Sequence, residues 1–222
     1  MPPSGATVES VADYPPADGS RLVQDMSSIA PPTRAAAFSE TRDRIVNASY
    51  TLFSRRSTRD VAMDEVVAAS GVAKATLYRH FATKDDLVLA FLERREEIWT
   101  LGIIEGGARA RSDDGEGRLF AIFDVLEEWF QRDDYEACSF VKVLLELGAD
   151  HPLGRASSAR LARIRSMVSR FAREAGLRDP DEFALSWNIL MTGAIVQAVE
   201  GDRKAAARAR LMAVPLIDRY RL

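Results

Sequence analysis

In the stretch from Gly71 to Phe81, Lys74, Ala75, Tyr78 and Arg79 fall at the spacing that places them on one side of a helix, with Leu77 and Phe81 on the other. The first set suits a nucleic-acid groove. An arginine fork can grip a guanine at two points, a lysine can meet a base edge or a phosphate, and the methyl of Ala75 can meet that of a thymine. The second set suits a small core, so the segment reads as a recognition helix held from behind. Thr83 follows as a helix cap, with Asp85 and Asp86 complementing the positive end of the dipole. Lys84 opposes that dipole in the same turn. A phosphate at the helix start, taking both the lysine and the amides, explains it; the alternative is a solvated lysine.

The elements that must hold these residues are helical. Phe38, Ile45, Ala48, Ser49, Leu52 and Phe53 form one stripe of a first helix, and Met63, Val66 and Val67 give a short second helix ending at Gly71, a residue suited to the left-handed turn at a helix end. The recognition helix is the third. A fourth runs from Thr83 through Leu87, Phe91, Ile98, Trp99 and Ile103 toward Gly106-Gly107, before a polar loop over Ser112 to Gly117. A fifth covers Arg118 to Gln131, a sixth Tyr135 to Gly148, and a seventh Ser157 to Ala175, whose Arg160, Arg163, Arg170 and Arg173 form an outer, wet face. Asp179-Pro180-Asp181-Glu182 is a helix start, with Asp179 able to cap and Pro180 suited to the first position. The eighth helix that follows is apolar on nearly every side from Phe183 to Val199, which predicts burial all round and a second subunit to supply part of the cover. The last begins near Arg203 and meets Pro215, which should kink or end it. No convincing strand is present, and the expected fold is all-α.

A chain of 222 residues, 47% of them hydrophobic, can bury a sizeable core. Its one cysteine cannot form an internal disulfide. There is no amino-terminal basic region followed by an apolar core, and no run approaching the roughly 18 apolar residues of a membrane span, so a soluble, cytoplasmic protein with no membrane association is expected. The net charge of −3 hides an asymmetry: residues 34–95 carry +3, and the segments on either side carry −3 each. The local excess of positive charge coincides with the recognition segment. Residues 1–35 hold six of the nine prolines and show no apolar period, which reads as a disordered arm, solvated rather than using Arg21 and Arg34 in a minor groove.

Between residues 40 and 90, Leu52-Phe53, Met63-Asp64-Glu65-Val66, Ala69, Gly71-Val72, Thr76-Leu77-Tyr78, His80-Phe81, Lys84 and Leu87 follow in order and spacing the amino-terminal pattern of the TetR-type transcriptional regulators, and the chain resembles that family. The region from Ala137 to Ile217 resembles more loosely the ligand-binding half of one of its subgroups, through Cys138-Ser139-Phe140, Ala175-Gly176-Leu177 and Gly193-Ala194-Ile195-Val196. The resemblance implies about nine helices: a disordered arm over 1–35, a helix-turn-helix DNA-binding domain over 36–85 with its motif at about 62–81, and a ligand-binding and dimerisation domain over 86–222. It further implies a homodimer built on the last two helices and a pocket for an unidentified small-molecule effector. Three positions depart from the pattern. Ser57 stands where glycine is common, Val67 replaces a small alanine, and Val61-Ala62 replaces a hydroxyl-bearing pair that caps the second helix and touches phosphate, leaving that role to Asp60 or an amide.

On double-stranded DNA, Lys74 and Arg79 are the candidates for base edges and Ala75 for a thymine methyl. By resemblance, Tyr78 and Lys84 bind backbone phosphates, and Thr76 lies beside them or satisfies the helix end. His80 faces either the backbone or the core that Leu77 and Phe81 form. A dimer places two reading helices in grooves about 34–36 Å apart or somewhat further, on a palindromic operator. Effector control then follows if the ligand fits a state with wrongly spaced helices, with the fourth helix as lever. Candidate pocket residues are Trp99, Ile103, Phe123, Trp129, Phe140, Met167, Trp187 and Met191; for each, ordinary core packing is the alternative.

The expected function is therefore a ligand-responsive, sequence-specific regulator, a repressor. Two other readings are open. An enzyme could offer Cys138 with His151, but there is no metal-ligand cluster, glycine-rich phosphate loop or serine elbow, so no catalytic residue, metal or cofactor is expected. A helical small-molecule-binding protein with a degenerate DNA motif is suggested by Val61, Ala62 and Val67, and opposed by Lys74, Tyr78, Arg79 and Lys84.

Overall fold

The computed structural model describes residues 34–222. The arm expected over residues 1–35, with its Arg21, lies outside the described residues apart from its last two positions, which begin the first helix. Nine helices and no strand occur among the described residues: α1 (Arg34–Arg55), α2 (Met63–Ser70), α3 (Lys74–His80), α4 (residues 84–111), α5 (Gly115–Phe130), α6 (Ser139–Leu147), α7 (Pro152–Glu174), α8 (Pro180–Val199) and α9 (Ala205–Tyr220).

Two apolar cores organise them. Ile45, Phe53, Val66, Leu77 and Phe81 of the amino-terminal helices close on Leu87 and Phe91 of α4, and this core also takes in Phe140, Val143 and Leu153 from farther along the chain. The second core gathers Phe123, Phe130, Phe171, Phe183 and Trp187 from α5, α7 and α8, with alanines of α9. Trp99 and Ile164 pack against both. The first turns of α4, through Leu92, thus pack into the amino-terminal core and its later turns into the larger bundle.

Several expectations change. Phe38 does not join the buried stripe of α1; it is exposed, with its ring against that of His80. Helix α4 passes through Gly106-Gly107 to Arg111, because residues Glu96–Gly106 wind as a wider π-helix and Gly106 keeps right-handed helical angles. Helix α6 begins only at Ser139; Tyr135 is held outside it by its hydroxyl, which donates to the Ile195 carbonyl at 2.7 Å. Helix α7 starts earlier than expected, at Pro152, where His151 Nδ1 accepts from the Leu153 amide. Of its arginines Arg163, Arg170 and Arg173 are exposed as expected, while also reaching Glu96 and Glu105 on α4 and Asp181 on α8; Arg160 alone departs from the wet face, buried against Glu96. Acids spaced along α4 and α8 turn the row into inter-helix ties.

Asp179 precedes α8 in the left-handed region, with φ of 48°, and its side chain caps nothing. Helix α8 is not buried all round in the single chain. Phe183, Trp187 and Met191 face the core, while Leu185, Ile189, Val196 and Val199 are exposed. By length and composition alone α8 could cross a membrane, contrary to the reading that no run comes near a span. Helix α9 continues through Pro215 to Tyr220. Pro215 lies on the exposed side, where water can satisfy the carbonyl one turn back that loses its donor.

Candidate nucleic-acid interface and internal cavity

The turn that sets α3 against α2 depends on Gly71, whose φ of 65° suits a residue without a Cβ, and whose amide closes α2 on the Val67 carbonyl at 3.0 Å. Leu77 and Phe81 anchor α3 in the amino-terminal core, and the Arg42 guanidinium lies over the Phe81 ring. The opposite side of α3 presents Lys74, Ala75, Tyr78 and Arg79 to solvent, with Tyr78 41% exposed. A side chain of that size held open on a short, well-anchored helix suits contact rather than packing.

Lys74 pairs with Asp64 of α2 at 2.7 Å, and this hydrogen-bonded partner raises its pKa. Arg79 has no partner among the described residues. Thr76 is half-buried at the helix start, where its amide donates to the Ala73 carbonyl. His80 turns toward Phe38, the ring centroids 3.9 Å apart, and neither ring nitrogen has a hydrogen-bond partner among the described residues. Burial, then the charges of Arg79 and Arg42, push its pKa down. The neutral imidazole therefore sits behind the presented face.

At the start of α4, the Thr83 hydroxyl accepts from the Asp86 amide at 3.1 Å and the Asp86 carboxylate accepts from the Thr83 amide at 2.9 Å, a reciprocal cap. Lys84 reaches across to donate to the Arg59 carbonyl at 3.2 Å. Asp60 does not replace the missing hydroxyls at α2, whose first residue has no side-chain cap. Instead Glu65 accepts from the Ala62 amide at 2.8 Å and is held by Arg56.

The loop between α1 and α2 is fastened from α6, which no sequence pattern had indicated. Glu146 accepts from the hydroxyls of Ser57 and Thr58, at 2.8 and 2.9 Å, and from the amides of Thr58 and Arg59. Burial works against its charge, but these hydrogen bonds together hold its carboxyl below the usual range. Ser57, which departs from the family pattern, thus supplies a hydroxyl that a glycine would lack. One turn earlier, Lys142 donates to the Phe53, Ser54 and Arg56 carbonyls and so caps the end of α1. Burial, together with the Arg95 charge, pushes the Lys142 pKa down against the pull of Glu136 and Glu146.

The other end of α6 borders a cavity of about 50 Å³. Of the expected pocket residues, Trp99, Trp129, Phe140 and Met191 line it. Phe123, Met167 and Trp187 are buried in the carboxy-terminal core away from its walls, and Ile103 packs at the edge of that core, its neighbour Ile104 taking the lining position. A helix pattern tells which residues face inward, not where packing leaves a gap. Arg95, Cys138 and Ser139 also line the cavity. Arg95 was legible as a charge four residues after Phe91 and four before Trp99, on the apolar stripe of α4. Its Nη1 donates to the Tyr50 hydroxyl at 2.8 Å and to Glu136 at 3.2 Å, and the Trp99 indole donates to the same hydroxyl at 2.9 Å. Tyr50 belongs to α1, so this network joins the cavity wall to the amino-terminal unit.

Burial raises the pKa of Cys138, which disfavours the thiolate a nucleophile needs, and His151 is engaged as the cap of α7. Among the described residues no group of three or more His, Cys, Asp or Glu side chains could hold a metal ion.

A family described as bacterial regulatory proteins, tetR family, matches residues 45–91. The chain is 30% identical over 94 residues to the HTH-type transcriptional activator FasR of Mycolicibacterium smegmatis, a match covering 42% of each protein. It is 38% identical over 52 residues to an uncharacterized HTH-type transcriptional regulator of Mycobacterium tuberculosis, covering 23% of this chain and 26% of that one. Both matches thus span less than half of those relatives. The whole fold is shared with a TetR-family transcriptional regulator from Streptomyces coelicolor, at a TM-score of 0.73 and 24% identity over 82% of this chain and 96% of that one. A TetR transcriptional regulator from Chloroflexus aurantiacus shares it at a TM-score of 0.70 and 23% identity, over 82% and 96%. Residues 45–91 are thus a domain of the kind described as tetR family, bacterial regulatory proteins, and the whole described chain shares the fold of solved TetR-family regulators.

Proposed function

We propose that this protein is a cytoplasmic, sequence-specific DNA-binding repressor that reads a palindromic operator as a homodimer and is released by a small-molecule effector. The carrying observation is α3 itself: Lys74, Ala75, Tyr78 and Arg79 stand exposed together on a helix anchored by buried Leu77 and Phe81. On this reading residues 36–85 are the DNA-binding unit and 86–222 the effector and dimerisation unit. Arg79 and Lys74 meet base edges, Lys74 exchanging Asp64 for DNA. Tyr78, Lys84 and Thr76 meet phosphates, and His80 supports them from behind.

The dimer forms through α8 and α9, whose exposed Leu185, Ile189, Val196, Leu211 and Met212 make an apolar surface unusual for a lone soluble chain. That role, with Phe183, Trp187 and Met191 in the core, accounts for the apolar character of α8 without a membrane. The effector enters the cavity between α4, α5, α6 and α8.

Selection of bound fragments from random DNA, followed by footprinting, tests the reading. A protected palindrome is expected, with binding lost in Arg79→Ala combined with Lys84→Ala. Failure to retain any sequence, even at low salt, overturns it and favours a small-molecule-binding protein with a degenerate motif. The FasR relative is an activator by name, so a reporter driven from the selected site settles the sign of control; repression is the expected result.

A further inference from the structure

The cavity walls are mostly apolar, with Arg95, Thr100 and Ser139 the polar lining residues besides Cys138. The Arg95 side chain is 3% exposed, and its guanidinium lies over the Trp99 ring, 4.4 Å from the centroid. Only Nη1 is engaged, by Tyr50 and Glu136; among the described residues Nη2 and Nε have no hydrogen-bond partner. A guanidinium offers five donors in a fork that fits a carboxylate at two points, so most of this one's capacity is unused. A second group points the same way. Ser139, at the start of α6, lines the cavity with its hydroxyl buried and without a partner. A buried hydroxyl without a partner is costly, and one acceptor entering the cavity would satisfy Ser139 together with the open donors of Arg95.

The charge balance selects the kind of acceptor. Glu136 is shared between Arg95 and Arg55, the latter at 3.6 Å, and the ammonium of Lys142 is near enough to feel both Arg95 and Glu136. The other acids nearby are committed, Asp134 to Arg132 and Glu146 to the loop after α1. Positive charge is therefore in excess around the polar end, which disfavours an amine and favours an anion. Apart from Thr100 the remaining walls are apolar, among them the rings of Trp99 and Trp129, 4.1 Å apart, Ile104 and Met191.

We infer that the effector is a small carboxylic acid with an apolar or aromatic body, its carboxylate accepting from the unused donors of Arg95 and from the Ser139 hydroxyl. This rests on the reading of the cavity as the effector site and names the chemistry it selects. Glu136, held on Nη1 of the same guanidinium, is then the internal competitor: its charge stands beside the incoming carboxylate and opposes it.

The test titrates the purified full chain at pH 7.5 with phenylacetate and octanoate, each against its primary amide, reading the fluorescence of the tryptophans at the cavity. Each acid should bind at least about tenfold tighter than its amide. Glu136→Gln should tighten the acids several-fold and leave the amides unchanged, a gain that mere structural damage does not produce. Ser139→Ala should weaken the acids several-fold. Arg95→Met combined with Glu136→Gln, which leaves no buried charge unpaired, should abolish the preference for acid over amide while cooperative unfolding is retained. Equal binding of acid and amide, or no gain in Glu136→Gln, overturns this inference and leaves the cavity as an effector site. Binding of neither acids nor amides overturns the effector-site reading and the inference with it.

Discussion

The carboxylate of Glu146 accepts both the amide and the hydroxyl of Thr58, at 3.1 and 2.9 Å. One residue of α6 thereby fixes the loop that carries the chain from α1 to α2, while Phe140, less than two turns earlier, lines the cavity. Beside α4 itself, the amino-terminal unit therefore has two side-chain ties to the cavity wall: Glu146 on α6, and the Arg95–Tyr50 contact.

Glu146→Ala should destabilise the protein by about 1–3 kcal/mol, the cost of leaving buried donors without their acceptor, and should weaken operator binding through a loosened loop. Urea unfolding and DNA titration measure the two effects. An unchanged unfolding midpoint together with unchanged DNA affinity would show that the loop holds itself.

Base and phosphate contacts separate by their dependence on sequence and salt. Lys84→Gln should weaken specific and random DNA about equally and reduce the slope of log affinity against log salt by about 1. Arg79→Ala should instead narrow the gap between specific and random DNA, by about 1–3 kcal/mol if it grips a guanine. Equal losses in both variants on both kinds of DNA would remove the assigned division of roles.

Ile189 and Leu211 are 72% and 70% exposed, so charges placed there do not disturb the core of a single chain. Ile189→Glu with Leu211→Glu should shift the protein to monomer in sedimentation, leave its circular dichroism unchanged, and lower operator affinity. A dimer that persists at micromolar concentration places the interface elsewhere.

His80 supplies a pH signature. Its folded-state pKa lies below the unfolded value near 6.5, through burial first and then Arg79 and Arg42. The unfolded chain therefore binds the proton more readily, and stability is lost as the pH falls from about 6.5 into the window below it. Thermal unfolding between pH 7.5 and 5 should show a decline that His80→Phe lessens. An identical decline in the variant would assign the effect to other groups.

The amino-terminal unit was legible because its logic is local. Gly71, the apolar positions Leu77 and Phe81, and the Thr83 cap each act within a few residues, and the structure places them as their spacing predicts. The starts of α6 and α7 were less legible, because the Tyr135 hydroxyl bonds to a carbonyl sixty residues away and His151 is an uncommon cap. Of the α7 arginines, periodicity put Arg163, Arg170 and Arg173 on the outer stripe where they lie, but it could not know that Glu96 waits opposite Arg160 and allows its burial.

What the chain's order of residues determined alone was the helical class, the exposed face of α3 and the strongly apolar character of α8, since each depends on periods of three to four residues and on short-range turn chemistry. Tertiary structure decided which apolar residues line a cavity and which merely fill space, that Lys142 and Glu146 hold the end of α1, and that Arg95 is buried with most of its donors unused. Those outcomes depend on which helices meet and at what height along their axes, and that registration is set by packing between segments far apart in the chain.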